Sequence, residues 1–291
     1  MEFSIIIPTV NNYKYFKLTL DSIKKNSFYN HEITVHLNGS DDKTEQFLIN
    51  NNINYTKSLN NIGLCSGVNL AYKKTTKNYI VYSHDDMYFL PNWDKYLCDE
   101  ILTLRTDKFY LSATQISSNK PLKNTLINHI YYDCGDKIDV FDEEKLLENY
   151  QKLNFHNLQG THWAPHVISK SLWDQIDGFS EEFDPGFGSD PDLNMKLWKK
   201  GVRIFKGVNK SRVYHFGSLT TRKSKNLNRN NANKTFLLKW GISINYFTKY
   251  YLQRGTAYNK ELNDPIISFF SIFELILCLI KYYYFKFFLK K

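Results

Sequence analysis

The sequence predicts an α/β fold: a mostly parallel central sheet with helices on both faces, plus a helical C-terminal extension. Three observations carry this expectation. The chain opens on an unbroken apolar run, Ile5-Ile6-Ile7, of the kind buried on both faces of a parallel sheet. Strand-like and helix-like stretches then alternate up to Tyr82. The chain has 291 residues, 42% hydrophobic and 23% charged, which suits a sizeable core and excludes general disorder.

The elements follow in order. Ser4–Ile7 reads as a strand ended by Pro8, and residues 11–25 as a helix with Phe16, Leu20 and Ile23 on one face. Glu32–Leu37 is a second strand, followed by the turn Asn38-Gly39-Ser40-Asp41. Lys43–Ile49 is helical, Ile53–Thr56 a strand, and Asn61-Ile62-Gly63 opens a helix running to about Lys74. Tyr79–Tyr82 is a fourth strand, and Pro91–Leu104 a helix with proline in its first turn. The signals blur over 105–160, apart from a helix at Asp142–Lys152. Trp163–Ile168 reads as a strand, Ser171–Ile176 as a helix, Asp190–Lys200 as a helix stopped by Gly201, and Val202–Phe205 as a strand. Ser218–Lys234, rich in Asn, Lys and Arg, reads as a mobile loop.

Ile266–Ile280 is apolar except for Ser268, Ser271 and Glu274, which with Lys281 form one polar stripe on a helix. Glu274, near the middle of the run, argues against a membrane span. The aromatic and basic residues that follow suit either a membrane surface or docking on protein.

The formal charge of +9 attracts anions. An AT-rich coding bias accounts for much of the Lys, Asn, Tyr and Phe content, and no nucleic-acid-binding motif is present, so nucleic acid is not an expected partner. The four cysteines, Cys65, Cys98, Cys134 and Cys278, lack metal-ligand spacing and read as buried thiols of a reducing compartment. No leader-like segment precedes the first strand, so a cytoplasmic location is expected, with attachment at the inner face of a membrane as an option.

In parallel α/β sheets, ligands bind beyond the carboxyl ends of the strands. There the sequence places Pro8-Thr9-Val10-Asn11, Asn38-Gly39-Ser40-Asp41-Asp42 and His84-Asp85-Asp86. Adjacent side chains on extended backbone point to opposite sides, so one carboxylate of Asp85-Asp86 can meet a sugar hydroxyl while the other holds Mg²⁺ or Mn²⁺. Without that placement, the pair reads as a solvated turn or a helix cap.

With these residues in place, the sequence resembles a nucleotide-sugar glycosyltransferase of the GT-A (Rossmann-like) fold, family 2 type, over roughly residues 3–218. The matching segments are Ser4-Ile-Ile-Ile-Pro-Thr-Val-Asn-Asn, Asn38-Gly-Ser-Asp-Asp-Lys-Thr44, Asn60-Asn-Ile-Gly63 with Gly67 and Asn69, His84-Asp-Asp-Met87, Gly178-Phe-Ser-Glu-Glu-Phe183 with Ser189-Asp-Pro-Asp-Leu193, and Val213-Tyr-His-Phe-Gly-Ser218.

The resemblance implies a nucleotide-sugar site formed by Pro8, Thr9, Asn11, Asn38, Asn61, Gly67 and Asp85. Thr9 would lie near base and ribose, Asn38 at the base edge, and Asp85 on ribose or donor sugar. It implies Mn²⁺ or Mg²⁺ at Asp86 with His215 as a metal or diphosphate contact, and Asp190 as general base. Asp190 and Asp192 also read as helix caps. His84 stands where the family has the first Asp of its Asp-x-Asp element, so ligation is expected to rest mainly on Asp86; Leu37 and Ser189 replace other common carboxylates.

The implied reaction is inverting transfer from a nucleoside-diphosphate sugar, UDP-sugars favoured, to a hydroxyl of a glycan, lipid-linked or protein acceptor. Trp163 and His162 are candidates for the acceptor pocket, Trp163 equally for the core, and Arg222, Lys223 and Lys225 for a lid over the diphosphate or simply a solvated loop. The organisation expected is a transferase domain over 1–218, a basic and helical extension over 219–265 and the apolar–basic helix over 266–291, with self-association open. Two other readings compete: a catalytically degenerate sugar-nucleotide-binding scaffold, and a nucleotidyltransferase, whose Gly-rich basic loop is missing from Pro8–Asn12.

Overall fold

The computed structural model describes residues 1–39, 42–121, 128–217 and 225–288. Ten strands form one sheet. The first half of the chain alternates β1 (Ser4–Thr9), α1 (Tyr13–Asn26), β2 (Glu32–Asn38), α2 (Asp42–Asn50), β3 (Asn54–Ser58), α3 (Leu64–Tyr72) and β4 (Tyr79–Tyr82). It continues with β5 (Met87–Phe89), α4 (Trp93–Leu104), β6 (Phe109–Ser117), β7 (Ile130–Tyr131), α5 (Glu143–Asn149), β8 (Leu158–Gln159), β9 (His166–Ser169), α6 (Lys170–Ile176), α7 (Ser189–Lys199) and β10 (Ile204–His215). The helices α8 (Lys225–Trp240), α9 (Ile244–Tyr246) and α10 (Phe269–Phe288) follow.

The strand order is β3-β2-β1-β4-β9-β6-β10-β5, with β7 beside β6 and β8 beside β10. The sheet is mostly parallel; β9, β5 and β8 run antiparallel to their neighbours. Ile5, Ile6 and Ile7 are all fully buried, so β1 is covered on both faces, as its unbroken apolar run requires. A second, smaller core gathers Tyr88, Ile116, Leu146, Tyr214 and Phe216 at the β5 end of the sheet. The four cysteines are buried free thiols.

Three departures from the sequence reading have physical causes. The blurred stretch hides β6, a central strand, because Ser112, Thr114 and Gln115 interrupt its apolar pattern. Their hydroxyls and amide are satisfied inside: Ser112 with Thr161, Thr114 on the Val208 carbonyl at 3.1 Å, Gln115 on the Ala164 carbonyl at 2.6 Å. The strand expected to end at Phe205 continues to His215, through an irregularity between Val208 and Arg212 where Asn209-Lys210-Ser211 breaks the pattern.

The stretch expected to be a mobile loop is helical from Lys225 onward, in α8. Its polar composition conceals Ala232, Phe236 and Leu237, which are buried against the domain. Tertiary packing here overrides a weak helix signal. Ser218, Arg222 and Lys223 lie outside the described residues, as does the Lys225 side chain, so the proposed lid lies outside them too.

The helix α3 packs closely on β2 at one point. A Cβ on Gly67 would lie 2.5 Å from the His36 ring, so only glycine allows this approach. His36 is held neutral there by burial, its pKa down at about 4, and bonds Thr56 Oγ1 at 2.8 Å. The Gly67→Ala substitution is therefore expected to cost about 1–3 kcal/mol of stability through overpacking. A denaturant melt unchanged from the parent would show that the helix can shift freely.

Candidate active site

The site lies at the carboxyl edge of the sheet, where β4 ends and the chain crosses to β5. The pairing of β5 with β10 is antiparallel and sets Met87 opposite His215. The Phe216 amide donates to the Asp86 carbonyl at 3.2 Å. This register brings Asp86 to His215: Asp86 Oδ1 lies 3.2 Å from His215 Nε2 and 4.0 Å from His84 Nδ1. One ligand-type atom from each of His84, Asp86 and His215 falls within 4.8 Å of the others.

Asp86 is buried. Burial, and then the proximity of His215, lowers the His84 pKa to about 4, so its imidazole is neutral and has a lone pair to give. Gln115 orients His215. Its amide nitrogen donates to the Ala164 carbonyl, which leaves Gln115 Oε1 facing His215 Nδ1 at 3.3 Å. That oxygen accepts the Nδ1 proton, which leaves Nε2 as the ring nitrogen facing Asp86. His84, read from the sequence as a lost ligand, is thus brought into the cluster, and ligation need not rest mainly on Asp86. Two imidazole nitrogens and a carboxylate suit a borderline cation such as Mn²⁺ better than Mg²⁺, which favours oxygen alone.

On the other side of the strand end, Thr9 Oγ1 donates to Asp85 Oδ2 at 2.6 Å. Burial, and next the charge of Asp86, push the Asp85 carboxyl upward. Pro8 is half-buried, and Asn11 is exposed with left-handed backbone, φ 48°. Asn38 is committed to the wall: its amide nitrogen donates to the Gly63 carbonyl at 2.8 Å, and its oxygen accepts from the Ile62 amide at 2.7 Å. Asn61 Oδ1 accepts from the Gly63 amide at 3.0 Å. Gly67 is turned to His36, so its evident task is packing. Asp184, which the sequence reading did not single out, caps α3 by accepting from the Cys65 amide at 2.7 Å and from Ser66 Oγ at 2.6 Å.

The two carboxylates of α7 differ sharply. Asp192 is fully buried and fully engaged: it accepts from Trp240 Nε1 at 2.7 Å and Ser180 Oγ at 2.6 Å, and lies 3.0 Å from Lys239 Nζ. Asp190, in the first turn, has a buried Oδ1 with no hydrogen-bond partner. Burial raises its pKa to about 7. The buried Tyr82 phenol is pushed up by burial and then by Asp190, Cys65, Asp85 and Asp86. Asp190 also acts on Tyr110, whose hydroxyl donates to the Trp163 carbonyl at 3.2 Å. Trp163 Nε1 is buried without a partner, and His162 Nδ1 lies 3.2 Å from the Gly160 carbonyl.

The family model described as Glycosyl transferase family 2 matches residues 4–171. No curated protein matches the sequence. Among solved structures, TarS 1-349 of S. aureus in complex with UDP-GlcNAc aligns with a TM-score of 0.55 at 17% identity, over 99% of this chain and 73% of that one. The longer S. aureus TarS structure aligns at 15% identity with a TM-score of 0.58, and this chain spans 44% of it. GalNAc-T7 with UDP, GalNAc and Mn²⁺ gives 0.55 at 15% identity, over 73% of this chain and 42% of that one. The mannosyltransferase PcManGT from Pyrobaculum calidifontis, with GDP-Man and Mn²⁺, gives 0.54 at 14% identity, over 81% and 63%. These likenesses establish the GT-A fold.

The contrast between the two aspartates is measurable. Asp190 binds its proton more tightly folded, with a pKa of about 7, than an unfolded chain does at about 4. Its contribution to stability is therefore present at low pH and lost as pH rises through about 7. The Asp190→Asn variant is expected to gain stability over the parent at pH 8 compared with pH 5. The Asp192→Asn variant should lose about 1–3 kcal/mol at both. Urea melts at the two pH values distinguish them, and a pH-independent effect of Asp190→Asn would refute its burial as a neutral acid.

Proposed function

The chain belongs to glycosyl transferase family 2, and we propose that it moves a sugar, with inversion, from a nucleoside-diphosphate sugar to an acceptor hydroxyl in a metal-dependent reaction. The observation that carries this reading is the convergence of His84, Asp86 and His215 at one sheet edge, in a set of ligand atoms sized for a single cation. A UDP-sugar is the favoured donor, a preference supported by the UDP-GlcNAc bound to the S. aureus structure of the same fold. The acceptor is a hydroxyl of a glycan, a lipid-linked saccharide or a protein.

His84, Asp86 and His215 would hold the divalent ion, which would offset the charge growing on the departing diphosphate. Asp85, held by Thr9, takes a hydroxyl of the donor's ribose or sugar. Pro8, Asn11 and Asn61 border the donor site, while Asn38 and Gly67 serve it by shaping its walls. Asp190 is the general base. An alcohol is a weak nucleophile near neutral pH, and a carboxylate whose pKa sits at about 7 removes its proton more readily than an ordinary one. Its unpartnered oxygen is kept ready for that proton. Attack from the side opposite the diphosphate inverts the anomeric centre.

The Asp190→Asn variant should lower kcat by about 10²–10⁴-fold with UDP affinity retained. In the parent, transfer should rise with pH through about 7, as the base form accumulates. A variant with near-parental kcat would remove Asp190 from the chemistry.

The ligand set makes a second prediction. After chelation, Mn²⁺ should restore sugar-nucleotide turnover better than Mg²⁺, and His84→Asp should narrow that gap by supplying a hard oxygen ligand. Calorimetric titration of the metal in the presence of UDP provides a readout separate from turnover. Equal restoration by both ions in the parent would contradict a ligand role for the imidazoles.

A further inference from the structure

The helix α10 carries apolar residues on both its inward and its outward face. Ser271 and Cys278 are buried, and Leu275, Tyr282 and Phe285 pack against the core beside α8 and α9. The charge of Glu274 is tied to Lys249 at 2.5 Å. The opposite face carries Ile272, Phe273, Ile276, Ile280, Tyr283 and Phe287, each between 46% and 65% exposed. At ~100° per residue these six fall within about 100° of arc, in a stripe that runs ~23 Å along the helix. An exposed apolar stripe of this length on a folded chain marks an interaction surface.

The chemistry of its rims selects the occupant. Lys281 and Lys286, both exposed, flank the stripe on its two sides, and Tyr283 and Tyr284 stand exposed between them in sequence. Protein–protein interface cores are depleted of lysine, and a second copy of this face would bring the same positive charges near one another. Aliphatic residues flanked by tyrosine and lysine match the boundary between acyl chains and anionic headgroups instead. The chain's net charge of +9 acts in the same direction. No described helix is long and apolar enough to cross a membrane.

We propose that α10 lies in the plane of an anionic lipid surface, with its Ile272–Phe287 stripe among the acyl chains and Lys281 and Lys286 at the headgroups. The inference stands on the helix alone and is independent of the reaction assigned to the active site.

The test is flotation of the full chain with vesicles of phosphatidylcholine, alone or mixed with phosphatidylglycerol. The parent should float with the mixed vesicles and stay behind with the neutral ones. The Lys281→Ala/Lys286→Ala pair should weaken partitioning on the order of 10- to 30-fold. The Ile276→Asp/Ile280→Asp pair should abolish it while leaving the thermal melt unchanged, because both side chains face solvent. Equal partitioning to both vesicle types overturns the proposal, as does no partitioning to either. So does a dimer in solution that Ile276→Asp breaks apart without any lipid binding.

Discussion

The pairing of a three-residue strand with the end of a twelve-residue one controls the site. β5 runs antiparallel to β10 with Met87 against His215, and that register puts Asp86 and His215 side by side. A slip by one residue would send His215 to the opposite face of the sheet. The register is held by what lies beneath it: Tyr88, Tyr214 and Phe216 are buried together in the smaller core, and the Tyr214 hydroxyl donates to the Gly135 carbonyl at 2.7 Å. The cluster of His84, Asp86 and His215 therefore inherits its precision from packing on the far side of the strands.

Around this cluster the interior separates two kinds of polar group. Most are paired off: Asn38, Thr114, Gln115, Asp184 and Asp192 each spend hydrogen-bonding capacity on a neighbouring loop, strand or helix. Asp190 is left with a buried oxygen and no partner, at a cost the rest of the fold absorbs. Two residues further on in the same helix, Asp192 is braced by Trp240, Ser180 and Lys239. That bracing lets α7 hold its neighbour in a poor environment without shifting to relieve it. The lasting cost is the source of the altered acidity.

Much of this was legible in the sequence, because apolar runs such as Ile5–Ile7 and Tyr79–Tyr82 are intrinsic strand signals and the polar triplets at their ends follow from sheet topology. The family match over residues 4–171 takes in both runs. Illegible were the elements whose polar residues are satisfied only by distant partners. β6 contains Ser112, Thr114 and Gln115, and α8 is written mainly in Asn and Lys; neither shows its buried face until the rest of the chain is present. Gln115 could not be singled out for the same reason, since its value lies in a contact with a residue a hundred positions away. Gly67 and Asn38 look like ligand contacts in a linear reading, and their placement shows each also occupied in building the scaffold.

The grip of Trp240 and Lys239 on Asp192 has a consequence for anyone seeking a minimal catalytic unit. Excising the chain after Phe216 would keep His84, Asp86, Asp190 and His215, yet take Trp240 and Lys239 away from Asp192. Removing the partners of a buried charge typically costs several kcal/mol, a sizeable fraction of a domain's whole margin. Site and appendage are thus not separable cargo and carriage: the trailing helices act as a keystone for the arch that bears Asp190.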